Sequence, residues 1–199
     1  MTIDVEQKPV LCVVAGPNGS GKTTTTQQLL ASEWSNDIVY INPDDIAQHQ
    51  FGDWNSIEAV RAAAEYATKW RYDCLKRHES FTFETVFSSR EKLDFLKKAK
   101  DENFFIRFFF VCTESPTINV ARIAKRYLSG GHEVPISKVI DRYYKSLTLA
   151  VEAVKFVDRA YIYDNSVENA TPNLLFRTID GKIHKVYEKK MPQWASLLM

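Results

Sequence analysis

No stretch of this 199-residue chain approaches the ~18 uncharged apolar residues of a membrane span, so a membrane-embedded protein is not expected. The opening segment, MTIDVEQKPV, lacks a basic stretch followed by an apolar one, and no secretory signal is expected from it. Charge of one sign is missing too. The 26 Lys and Arg residues balance 25 Asp and Glu, leaving +1, so no overall field recruits nucleic acid or anionic membrane. The three cysteines, Cys12, Cys74 and Cys112, are odd in number, widely spaced and free of any CxxC pair. Cys12 and Cys112 lie in apolar runs and read as small buried hydrophobes, which points to a reducing, cytoplasmic compartment. Repeats, low-complexity tracts and long linkers are absent, and one domain spanning 1–199 is expected.

With 45% hydrophobic and 26% charged residues, the composition is that of a globular chain with ample core material. Apolar runs alternate with helical patterns, as in an α/β sandwich around a mainly parallel sheet. Five strands are predicted, at 10–15 (VLCVVA), 38–42 (IVYIN), 80–84 (SFTFE), 104–112 (FFIRFFFVC) and 160–164 (AYIYD). The fourth is so apolar that it should be central and covered on both faces. Helices are predicted at 22–32, 45–50, 56–78, 90–102, 118–132 and 136–157. On the third, Ile57, Val60, Ala64, Ala67, Trp70 and Cys74 recur at helical spacing, and Asn55 with Glu58 has the spacing of a capping box. The fourth turns Leu93 and Leu96 inward; the last carries Val139, Ile140, Tyr143, Leu147, Val151 and Val154 on one side. The stretch LLFRTIDGKIHKVYE reads as a hairpin around Asp180-Gly181, within about 172–188, placed to close over an adenine. Trp34, Trp54 and Trp194 receive no assignment.

The chemistry begins at AGPNGSGKTTTT, 15–26. Gly16, Gly21, Lys22 and Thr23 fit G-x-x-x-x-G-K-[ST], and the required strand before and helix after are both predicted. In such a loop the backbone N–H groups of Gly16, Pro17-Asn18, Gly19, Ser20, Gly21, Lys22, Thr23 and Thr24 surround phosphate (proline contributing shape only). Lys22 reaches the terminal phosphates and Thr23 ligates Mg²⁺. The ligands expected are therefore ATP and Mg²⁺. Open parallel sheets bind at the carboxyl ends of their strands. There the second strand ends in INPDD, with Asp44 and Asp45, and the third in Glu84. Of the two aspartates, one is expected to cap the helix at 45–50 and one to react. An acid on this rim ligates Mg²⁺ through water or takes a proton from an acceptor hydroxyl. The helix at 118–132 carries Arg122, Lys125 and Arg126 on one side, opposite Val120, Ile123 and Tyr127, and Arg142 lies on the next helix. One or two of the three arginines should touch phosphate. His132 has no His or Cys within ligand spacing and is read as a residue of the lid loop.

LSGGH at 128–132 looks like the LSGGQ signature of ABC transporter ATPases. That family requires a hydrophobic strand ending Asp-Glu soon after, where this chain has the helical EVPISKVIDRYYKSLTLAVEAV. Two further readings are a nucleotide-hydrolysing regulatory module and a nucleic-acid-handling ATPase. The near-zero net charge and lack of a long basic tract argue against the second.

Over about 10–165 the chain resembles the zeta-toxin-like P-loop kinases, in a compact branch with a GGHEVP lid. The matching pieces are GPNGSGKTT (16–24), INPDD (41–45), FETVFSS (83–89), RIAKRYLSGGHEVP (122–135), IDRYYKSL (140–147) and YDNS (163–166). The resemblance implies a P-loop three-layer sandwich with a five-stranded, mainly parallel sheet, a lid at about 114–135 and a C-terminal hairpin. It implies phosphoryl transfer from ATP to a small hydroxyl-bearing acceptor, UDP-N-acetylglucosamine in zeta toxins, and a cognate antitoxin as partner. It places the general base at Asp44, with Asp45 second, and the acceptor-binding acid at Glu84. Arg126 and Arg142 would brace the triphosphate, with Arg122 a further contact.

Overall fold

The computed structural model describes residues 8–31, 38–51, 56–128 and 134–199. The strand that leads into the glycine loop lies third of seven in its sheet. β1 (Val10–Ala15) is paired in parallel on one side with β3 (Phe81–Thr85), itself paired with β2 (Val39–Ile41). On its other side lies β4 (Phe105–Cys112), followed by β5 (Arg159–Asp164), also parallel. All five expected strands form, and two more join them. β6 (Asn173–Ile179) and β7 (Lys182–Val186) are the expected hairpin, with Asp180 and Gly181 at φ 47° and 72°, the left-handed pair that matches strand twist. The sheet is thus seven-stranded rather than five-stranded, in the order β2-β3-β1-β4-β5-β6-β7. β6 pairs antiparallel with β5, so the hairpin extends the sheet instead of folding over a ligand.

Helices cover both faces. On one, α2 (Pro43–Gln50), α3 (Ile57–Arg77), α4 (Arg90–Asp101), α6 (Ile136–Val154) and the short α7 (Gln193–Ser196) enclose a core rich in phenylalanine. On the other, α1 (Lys22–Leu30) lays Leu29 against Cys12, Val14, Phe109, Val111 and Tyr161. Alternation along β4 sends Phe108 and Phe110 to the first core and Phe109 to the second, as expected of a strand covered twice. Phe108 is fully buried and stacks on Phe110. Phe108→Ala should cost about 3–5 kcal/mol, read from urea unfolding, because the ring leaves a cavity mid-sheet. All three cysteines are buried and free. Trp194 of α7 packs edge-on to Phe110, and Trp70 packs half-buried against the core; Trp34 and Trp54 lie outside the described residues.

Several helical details differ from expectation, each for a local reason. α2 is capped by Asn42, whose side chain accepts from the Asp44 N–H, so neither aspartate is the cap. Pro43 fills the first position, where a missing N–H costs nothing, and both aspartates fall in the first turn. α3 is capped by Ser56, accepting from Ala59 N–H; Asn55 lies outside the described residues. Its buried stripe is Ala59, Ala63, Ala67, Arg71, Cys74 and Leu75, while Ile57 and Val60 are 81% and 44% exposed. Small alanines let this helix approach closely, and Arg71 is accommodated by laying its guanidinium 5.0 Å over the Phe83 ring. α4 buries Leu93 and Leu96 as expected. α5 (Pro116–Leu128) begins two residues early and buries Asn119 and Ile123, leaving Tyr127 exposed. α6 leaves Ile140 partly exposed. No helix among the described residues is long and apolar enough to cross a membrane.

Candidate active site

The turn between β1 and α1 closes on itself by backbone bonds from Ser20 N–H to Pro17 O and from Thr25 N–H to Gly21 O. Gly16, at φ 150°, lies so close to β4 that any Cβ would be driven into the Val111 carbonyl oxygen. Gly21, at φ 93°, starts α1 from a left-handed conformation with Asn165 against it.

Four consecutive carbonyls of this loop each accept from a side chain. Lys22 Nζ donates to Pro17 O (3.0 Å), Asn119 Nδ2 to Asn18 O (2.6 Å), Arg122 Nη1 to Gly19 O (3.5 Å) and Asn165 Nδ2 to Ser20 O (2.8 Å). With these carbonyls engaged, and with the Gly16 and Ser20 N–H groups spent on Thr85 O and Pro17 O, the remaining N–H groups of the loop are left for a ligand, as an anion nest requires. The clasp is itself supported. Thr113 Oγ1 donates to the fully buried Asn119, Tyr143 OH donates to Thr113 O (2.6 Å), and Asn165 N–H donates to Cys112 O (2.8 Å).

Lys22, Thr23, Asp44, Glu84, Arg122 and Arg126 line one cavity of ≈ 370 Å³ together with Asn18, Gly19, Gly21 and Ile123. Residues expected at this rim from four separate stretches of sequence are therefore brought together. Burial lowers the pKa of Lys22 to about 8; Glu84 opposes the shift, and Arg126 and Arg142 add to it. Glu84 is half-buried and held twice: Thr23 Oγ1 donates to Oε2 (3.4 Å) and Tyr40 OH donates to Oε1 (3.1 Å). Among the described residues no group of three His, Cys, Asp or Glu side chains is placed to hold a metal. A divalent cation here would rely on Thr23, Glu84 and the ligand's own phosphates.

Asp45 and Arg142 stand further back. Asp45 shares the first turn of α2 but does not line the cavity. Arg142 donates to Asn18 Oδ1 (3.2 Å). Arg122 spends both terminal nitrogens on backbone oxygens, of Gly19 and of Val167 (3.3 Å). Gly16, Pro17 and Ser20 are buried in the loop, and Thr24 is exposed on α1. His132 and its neighbours 129–133 lie outside the described residues. The hairpin lends nothing to the cavity lining. Sequence reasoning missed Asn119, Asn165 and Tyr40. Asn165 sits in the YDNS piece at the end of β5, a rim position that could have flagged it; the other two carry no local signal.

Comparison with known proteins shows relatives by sequence and by fold. An uncharacterized protein of Haemophilus influenzae is 31% identical over 130 residues, 64% of this chain and 88% of that one. Among solved structures, the AvrRxo1-ORF1:AvrRxo1-ORF2 complex with sulphate ions matches at TM-score 0.69 and 12% identity, over 97% of this chain and 64% of the matched one. The same pair with ATP matches at 0.64 and 13%, over 96% and 63%. The PezAT toxin-antitoxin system of Streptococcus pneumoniae matches at 0.64 and 15%, over 96% and 78%. The chain thus spans slightly less than two thirds of the AvrRxo1 chain it resembles, and identities this low establish a shared fold alone. The Zeta toxin family model matches residues 2–173, and the chain belongs to the zeta toxin family.

Proposed function

We propose that the protein is an ATP- and Mg²⁺-dependent phosphotransferase acting on a small hydroxyl-bearing acceptor. The observation that carries this reading is the convergence of Lys22, Thr23, Asp44, Glu84 and Arg126 on one cavity beside the phosphate loop. The loop's N–H groups and Lys22 hold the triphosphate. Thr23 and Glu84 serve the Mg²⁺, which would neutralise charge on the phosphates. Asp44 accepts the proton of the acceptor hydroxyl as its oxygen bonds to the γ-phosphorus and ADP departs. Arg126 stabilises charge on the phosphoryl group in transfer, and Arg142 sets the loop through Asn18. Glu84, at the tip of β3, also faces the acceptor side of the cavity, Asp45 stands behind it in the first turn of α2, and Arg122 steadies the phosphate loop through the Gly19 carbonyl.

Family membership makes a UDP-linked amino sugar the first acceptor to try, and the toxin-antitoxin neighbour makes an antitoxin the first partner to seek. The deciding experiment incubates the protein and ATP with a cell extract and follows metabolites by mass spectrometry. A new phosphorylated small molecule is expected. Release of ADP with no such product would leave a nucleotide-hydrolysing module instead.

The depressed pKa of Lys22 adds a prediction with a definite sign. Above pH 8 the free protein holds this amine largely neutral, and a bound triphosphate restores its charge. Nucleotide binding at pH 8.5 is therefore expected to take up a proton, and affinity to fall as pH rises further. Calorimetry in two buffers of different ionisation enthalpy measures the uptake; none at pH 8.5 would place the ammonium outside the phosphate contact.

A further inference from the structure

We propose that Tyr40 is a positioning residue, holding the Glu84 carboxylate toward Thr23 so that a nucleotide-bound divalent cation is gripped at that pair. The proposal deepens the functional reading above and rests on its assignment of Thr23 and Glu84.

The argument starts from register. Tyr40 on β2 lies opposite Thr82 on β3, and Thr82 and Glu84 share a face of that strand because side chains alternate. The Tyr40 side chain therefore reaches along β3 toward the carboxylate at its tip, and its hydroxyl donates to Oε1 at 3.1 Å. The other oxygen, Oε2, accepts from the Thr23 hydroxyl at 3.4 Å. The two donors come from opposite sides, one from the outer strand and one from the first turn of α1, and divide the two oxygens between them. A glutamate's last torsion is broad and nearly two-fold, so a carboxylate at a strand end does not choose such an orientation unaided. Tyr40 is two residues from Asn42, the cap that sets Asp44 in the first turn of α2. β2 and the residue just after it thus hold Glu84 by its carboxylate and Asp44 by its backbone.

Groups hydrogen-bonded to metal-site residues typically change metal affinity 10–100-fold when removed, roughly the size expected here. The test compares wild type and Tyr40→Phe by calorimetry with a non-hydrolysable ATP analogue, in Mg²⁺ and in EDTA. The quantity read is the gain in nucleotide affinity that Mg²⁺ confers. Tyr40→Phe should reduce that gain by about tenfold while leaving the affinity in EDTA within about twofold. Thermal unfolding of the variant serves to confirm an intact fold, since only one hydroxyl is lost from a half-buried side chain. An undiminished gain in the variant overturns the proposal, as does an equal loss in Mg²⁺ and EDTA, the mark of a merely structural role. A wild type with no gain from Mg²⁺ overturns the assignment of Thr23 and Glu84 themselves, a different result from either.

Discussion

Lys22→Ala is expected to lower phosphoryl transfer by at least about 10²–10³-fold, the scale seen when one charge-stabilising donor is removed from a reacting centre. The ammonium belongs to the cavity lining, donates to the Pro17 carbonyl, and is held charged by the field of the Glu84 carboxylate. Arg126 and Arg142 would not replace it. They approach from α5 and α6, and Arg142 is engaged with Asn18. The variant should fold at least as well as the wild type. Burial makes the charged form of Lys22 less favourable in the folded chain, so its removal relieves an electrostatic cost. Single-turnover rates beside a thermal melt give both readings. A wild-type rate in Lys22→Ala would mean that the loop binds a ligand without taking part in transfer.

Asp44→Asn is expected to keep nucleotide affinity and lose at least about a hundredfold in turnover, as for a removed general base. Its fold should be unchanged, because the contact Asp44 makes in capping α2 comes from its backbone N–H, which asparagine retains. Asp45→Asn supplies the contrast. Both residues occupy the first turn of α2, where the helix dipole favours a negative charge equally, but only Asp44 lines the cavity. Asp45→Asn should therefore alter turnover by less than about threefold, a change well below that of losing a proton acceptor. Equal losses in both variants would point to the charge of the turn, and unchanged turnover in Asp44→Asn would remove it from the chemistry.

The features legible beforehand are those written over a few adjacent residues. A glycine turn ending in Lys22-Thr23 states its geometry locally, because chain reversal around an anion needs positive φ and an open path for the backbone. Alternation along β3 and the apolar run of β4, interrupted by Arg107 alone, likewise announce strands and their faces, and the rule that ligands meet strand C-termini then names Asp44, Asp45 and Glu84. Helix faces were less legible. On α3 the expected stripe holds in its second half, where Ala67 and Cys74 are buried and Trp70 packs on the core, and fails at its start, where Ile57, Val60 and Ala64 are exposed and Ala59 and Ala63 are buried in their place. Capping was misread by one or two positions where several polar residues adjoin, as at Asn42 to Asp45.

What the sequence alone determined, then, is the phosphate loop, the five strands that frame it and the acids at their tips, because each follows from short-range backbone and alternation rules. The fold alone decided that the hairpin becomes two further strands of the sheet, that α3 turns Ala59 and Ala63 inward, and that Asn119 and Asn165 hold the loop's carbonyls. These contacts join residues 101 and 145 positions apart, and Tyr40 meets Glu84 across 44. Such pairings depend on which strands become neighbours, and neighbourhood is a property of the assembled sheet.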